Sequence, residues 1–213
     1  MATFIIDAGH GPDTKGKHCY KAFDVNETKE YILNARIADY VVSLLDEHGH
    51  SAVRVDDFKS DVPLKDRVAI ANKYNALAYI SIHHNADPDT DDNDGINDAA
   101  SGITVFHYPT EEDKIKATRL YNLLIAETGL VGNRALPVAP TRDLYVIRNT
   151  KMRAVLIENG FMDNEGDVQK ILTRSHARAT ARAIVQWCLE LADNIKLDDR
   201  CLCDCDCCVE NCK

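Results

Sequence analysis

The sequence predicts a single α/β domain, a mostly parallel or mixed twisted sheet with helices on both faces. Three observations carry this. Short β-branched runs such as Thr3-Phe-Ile-Ile6, Ala78-Tyr-Ile-Ser-Ile82 and Ala154-Val-Leu-Ile157 are bounded by Gly, Asn and Pro, as buried strands are. Longer segments between them carry apolar residues at helical spacing, and alternating strands and helices argue for a layered sheet. At 213 residues and 45% hydrophobic content, the chain has material for one core, and no linker is long enough to separate a second domain.

The elements follow in order. A glycine-containing loop leaves the first strand. A helix over about Glu27 to Glu47 then presents Ile32, Ala35, Ile37, Ala38, Val41, Leu44 and Leu45 as one stripe, and Gly49 stops it. Ser51-Ala-Val-Arg-Val55 is a second strand, and Pro63 opens a helix through Val68, Ile70 and Ala71. The strand ending at His83 comes next, then an acidic loop and a strand from Ile103. A helix over about Glu111 to Thr128, with Ile115, Leu120 and Leu124 at helical spacing, follows. Leu144-Tyr-Val-Ile147 and Ala154–Ile157 read as two more strands, and one last helix runs from about Glu165 to Asn194. Residues 1–195 form the expected catalytic domain, and 196–213 a cysteine-rich tail that cannot build a core.

Four apolar runs end in polar groups: Asp7-Ala-Gly-His10, His83-His84-Asn85, His107-Tyr108 and Glu158-Asn-Gly160. Ligands in open α/β sheets sit beyond the carboxyl ends of parallel strands, so His10, His83 and Glu158 are expected to converge on one crevice. Two imidazoles and one carboxylate are a known catalytic zinc set, with a fourth position left for water. His10, His83 and Glu30 can supply that set, and Glu158 can act as the general base. His84 follows His83 on a strand and is expected to face the other way. His107 is not expected to be a ligand, and His18, His48, His50 and His176 sit in contexts without a motif.

The chain resembles the zinc-dependent N-acetylmuramoyl-L-alanine amidases of the type 3 amidase family. The resembling segments are Ile5-Ile-Asp-Ala-Gly-His-Gly11, Glu30 with Asn34, Asp66-Arg-Val-Ala-Ile-Ala-Asn72, Tyr79-Ile-Ser-Ile-His-His-Asn-Ala86, Asp143–Thr150 and Ala154–Asn164. They occur in family order across about residues 3 to 190. The resemblance implies hydrolysis of the amide between the lactyl group of N-acetylmuramic acid and L-alanine in peptidoglycan. It also implies Zn²⁺ on His10, Glu30 and His83, with Glu158 catalytic. Departures are Pro12 in place of a second glycine, and Tyr31-Ile32 in place of Lys-Asp after the ligand glutamate. Glu27, one turn before Glu30, is a rival ligand, but Asn34 and the distance to Gly49 favour Glu30.

A net charge of −9 without a basic patch opposes nucleic-acid binding, and no apolar run is long enough to insert in a membrane. Six aspartates between Asp87 and Asp98 supply most of that charge. The loop is similar to calcium loops in its alternating acids and Gly95, although Thr90 stands where an acid is expected and no terminal Glu follows, so Ca²⁺ is a candidate ligand there. It is also expected to wall a substrate groove. Cys201, Cys203, Cys205, Cys207, Cys208 and Cys212 crowd the tail, whose expected states are soft-metal binding, disulfides or disorder. Met1-Ala-Thr-Phe enters the first strand with no export signal. The expectation is therefore an enzyme made in the host cytoplasm that acts on the wall after release, as a phage endolysin does. A host autolysin or sporulation-associated hydrolase is the alternative, with a non-catalytic wall-binding module behind it.

Overall fold

Strand-forming runs alternate with amphipathic helices and close into one six-stranded sheet. A computed structural model of the chain describes residues 1–87 and 99–201, with 194–201 by backbone alone. The strands are β1 (Thr3–Ala8), β2 (Ser51–Arg54), β3 (Ala78–Asn85), β4 (Ile103–His107), β5 (Val138–Pro140) and β6 (Arg153–Phe161). The helices are α1 (Glu30–Glu47), α2 (Leu64–Ala71), α3 (Glu111–Thr128), α4 (Tyr145–Asn149), α5 (Glu165–Ile171) and α6 (Arg174–Cys201). The sheet order is β2-β1-β3-β6-β4-β5. The first four of these are mutually parallel, while β4 runs antiparallel to β6 and carries β5 parallel to itself.

Side-chain alternation divides the core into two layers. Phe4, Ile6, Ile80, Ile82, Val155 and Ile157 face one side, where they pack with α1, α3 and α6 around Trp187. Ile5, Tyr79, Ala154 and Leu156 face the other, where Val68 and Ala71 of α2 and Val146 and Ile147 of α4 cover them. Helices therefore lie on both faces. The glutamate-rich start of α3 is capped by the Thr110 side chain, which accepts from the Asp113 N–H, and Gly129 ends the helix in the left-handed region at φ 62°.

Four expectations are corrected. Leu144–Ile147 is not a strand: residues 145–149 form the short helix α4, tethered through Asn72, whose amide donates to the Asn149 carbonyl and whose oxygen accepts from the Lys151 N–H. A four-residue apolar run cannot distinguish a period of 2 from one of 3.6. The segment from Glu165 is two helices, because the Thr173 hydroxyl accepts from the His176 N–H and starts α6 afresh. The helix expected from Glu27 starts at Glu30, since Glu27 has φ +48° and lies in the preceding loop. The three-residue edge strand β5, ending in Pro140, has no counterpart among the expected elements. The candidate calcium loop at 89–98 and the tail cysteines at 203–212 lie outside the described residues. Among the described residues no helix is long and apolar enough to cross a membrane.

Candidate metal centre and active site

The site stands at the carboxyl edge of β1, β3 and β6. β1 delivers the chain into Gly9-His10-Gly11, where His10 takes a left-handed conformation at φ 65° that side-chain-bearing residues seldom adopt. Its flanking glycines are needed for close approach. A Cβ on Gly9 would sit 2.0 Å from Cε1 of His83, and one on Gly11 would sit 2.3 Å from the Asp61 backbone nitrogen. Arg67 of α2 locks this turn from beneath. Its guanidinium pairs with Asp7 and donates to the carbonyls of Ala8 (2.8 Å), His10 (3.0 Å) and Val62 (2.7 Å) and to Asp61 (2.9 Å). Pro12 is accommodated, and its carbonyl accepts from the Lys29 ammonium at 2.7 Å.

Glu30 is the first residue of α1, where the helix dipole favours a carboxylate, and it is 1% exposed. One oxygen lies 3.1 Å from His10 Nε2, and the other 3.1 Å from His83 Nδ1. The second oxygen also accepts from the His84 N–H at 3.0 Å and the Asn34 amide at 3.2 Å. The His10 and His83 rings meet edge to face at 5.0 Å. One donor atom from each of His10, Glu30 and His83 lies within 4.8 Å of the others. That donor set, two imidazoles and one carboxylate, is the chemistry of a catalytic zinc site with an open position, and the residues fit the ion.

Electrostatics follow the same geometry. Burial raises Glu30, but its contacts with His10 and His83 outweigh this and hold it well below the usual carboxylate range. Burial lowers His83, yet the Glu30 carboxylate beside it wins and pushes it up to about 9. Glu158 stands opposite His83 on the neighbouring strand. Burial pushes it up to about 7, with His83 opposing and Glu30 adding to the rise. One Glu158 oxygen is shut from solvent without a hydrogen-bond partner among the described residues.

Other candidates fall outside the centre. His84 turns to the α1 face, where its Nδ1 lies 2.8 Å from Asn34 Oδ1, and burial pushes its pKa down to about 3. His107 is remote for a topological reason: β4 is antiparallel to β6, so Ile103 pairs with Asn159 near the site and His107 pairs with Val155 at the opposite end. Glu27 is exposed and faces His18 at 3.9 Å. Sequence reasoning missed the roles of Asp7 and Arg67, and it placed Asn34 only as a register marker. An acid ending β1 and an arginine in α2 were the available signal for the first pair.

A two-His, one-Glu donor set with a separate carboxylate beside it, at the carboxyl edge of an α/β sheet, defines a zinc hydrolase. The family described as N-acetylmuramoyl-L-alanine amidase matches residues 4–187, and the chain belongs to it. Among curated relatives, the amidase CwlM of Bacillus licheniformis is 28% identical, with 86% of this chain and 69% of that protein covered. The probable cell wall amidase LytH of Staphylococcus saprophyticus is 26% identical over 86% of this chain, which spans 56% of its length. An amidase structure from Clostridium difficile 630 superimposes with a TM-score of 0.76 at 26% identity, covering 90% of this chain and 97% of the other. The catalytic domain of the endolysin CD27L shares the fold, with a TM-score of 0.67 at 21% identity over 89% and 98%.

Proposed function

We propose that His10, Glu30 and His83 hold a zinc ion with which the protein hydrolyses the amide joining N-acetylmuramic acid to the L-alanine of the peptidoglycan stem. Zinc in such a set acts as a Lewis acid toward a carbonyl oxygen and an attacking water. Glu158 takes the proton of that water as its oxygen bonds to the lactyl carbonyl carbon. It then returns the proton to the alanine nitrogen as the carbon–nitrogen bond breaks. Asn34 and the His84 N–H fix the Glu30 carboxylate, and Arg67 fixes the turn that carries His10. The reading rests on one observation: four side chains from four separate segments meet at one sheet edge, with Glu158 opposite a histidine of the donor set.

The test is hydrolysis of purified muropeptides by the zinc-loaded protein, with products read by mass spectrometry. Release of intact stem peptide from the sugar, lost on chelation and restored by zinc, supports the reading. Cleavage within the stem would make the protein a peptidase, and intact substrate with retained binding would make it a wall-recognition module.

For the setting, our reading is lysis of a host cell by a phage enzyme made in the cytoplasm. Expression in a bacterium should then cause lysis only when a membrane pore-former is co-expressed; lysis without one would favour a host wall hydrolase. The catalytic unit in this reading is 1–195, so truncation after residue 195 should preserve zinc-dependent hydrolysis.

A further inference from the structure

A cavity of about 540 Å³ opens beside the reactive centre on the β4–β5 side. Its inner wall includes Asn85, two residues past His83 on β3, and Thr104, which pairs directly with Glu158. The Thr104 hydroxyl is buried and has no hydrogen-bond partner among the described residues. Arg134 supplies the cation among the described lining residues. Its guanidinium lies over the buried Phe161 ring, 5.8 Å from the centroid, and the side chain is 46% exposed. Its ion pair among the described residues, to Asp87, is long at 3.5 Å. The loop presenting it is pinned by Asn133, whose side-chain oxygen accepts from the Ser101 N–H at 3.1 Å.

A second cavity of about 350 Å³ lies on the other side of His10 and His83, against α2. Its arginine, Arg67, is 1% exposed and already saturated by two carboxylates and three carbonyls. The scissile amide joins an uncharged sugar to a peptide that carries carboxylates. Of the two cavities, the one with an arginine able to accept an anion should take the peptide. An extended peptide advances about 3.3 Å per residue and strands lie about 4.8 Å apart. A carboxylate one residue past alanine therefore reaches over β4.

We propose that Arg134 is a specificity-determining residue: its guanidinium binds the carboxylate of the stem residue that follows L-alanine, so that acid stems are preferred to carboxamide stems. This rests on the amidase reading. A guanidinium–carboxylate hydrogen bond exceeds its neutral counterpart, and the difference corresponds to about five- to tenfold.

The experiment compares two muramoyl dipeptides, identical except for a free α-carboxylate or a carboxamide on the second residue, by kcat/KM. A calorimetric titration with the two free dipeptides runs alongside. The wild-type protein should favour the acid by about five- to tenfold in both assays, mainly through KM. Arg134→Gln should abolish the preference, and Arg134→Lys should keep some of it. Equal use and equal binding of acid and amide by the wild type, or an undiminished preference in Arg134→Gln, overturns the proposal. Cleavage of neither substrate counts against the amidase reading instead, and the titration then decides the role of Arg134 by itself.

Discussion

Glu158 and His83 are register partners on the parallel strands β6 and β3, so their side chains leave the same face of the sheet side by side. Neither depends on a flexible loop for its position. Leu156 and Ile157 before Glu158, and Ile80 and Ile82 before His83, are core residues.

That placement sets the first prediction. Among the described residues Glu158 makes no hydrogen bond to His10, Glu30 or His83, whose side chains partner one another, Asn34 and the His84 N–H, so replacing it should leave metal binding intact. Glu158→Gln keeps the shape and removes the proton carrier. Amide hydrolysis should fall by about 10²–10⁴-fold, with zinc content by atomic emission equal to that of the wild type. Loss of zinc together with activity would instead make Glu158 a ligand.

Glu30 and Glu27 separate in the opposite sense. Glu30 is buried, with its two oxygens divided between the two imidazoles, whereas Glu27 is exposed in the loop before α1. Glu30→Gln should therefore lose zinc and activity, and Glu27→Gln should keep both. The reverse pattern in a zinc-competition titration would overturn the ligand assignment.

Gly9 tests how closely the turn must approach the donor set. Its missing Cβ would fall within 2.0 Å of Cε1, 2.2 Å of Nε2 and 2.5 Å of Nδ1 of His83, so any side chain there displaces the ring. Gly9→Ala should keep its circular dichroism but bind zinc about 10–100-fold more weakly, as when a supporting group is removed. Unchanged affinity would show that His83 can shift without leaving the site.

How much of this was legible in the sequence depends on range. His83 and Glu158 could be placed because each directly follows a β-branched run, and His10 because it lies in the glycine turn just past one; parallel strands bring such ends together. Glu30 heads a helix on the other layer, and only its family register singled it out. Nothing local reverses β4, so the position of His107 at the far edge follows from sheet pairing alone. Residues 144–147 were too few to show a period, and α4 owes its helix to tertiary contacts such as those of Asn72. The Asp7–Arg67 pair joins residues sixty positions apart, a distance over which periodicity carries no information.

That pair also governs acid stability. Asp7 is 1% exposed. Burial raises its pKa, but the Arg67 guanidinium and the hydroxyls of Tyr79 (2.7 Å) and Ser81 (2.8 Å) outweigh this and lower it below the ordinary value. A carboxylate with a folded pKa below its unfolded one contributes stability that is present above the unfolded value, about 3.9. The contribution is lost as pH falls through the folded value. Asp7→Asn leaves Arg67 buried with its principal partner gone and should cost about 3 kcal/mol at neutral pH. It should also flatten the pH dependence below about pH 4, where the Asp7 contribution is lost. Denaturant midpoints of the metal-free proteins from pH 7 down to about pH 3, below the unfolded pKa, would check both. If the variant matched the wild type at neutral pH, Asp61 and the loop carbonyls alone would suffice to hold Arg67, and the Asp7 pair would not be what locks the turn that carries His10.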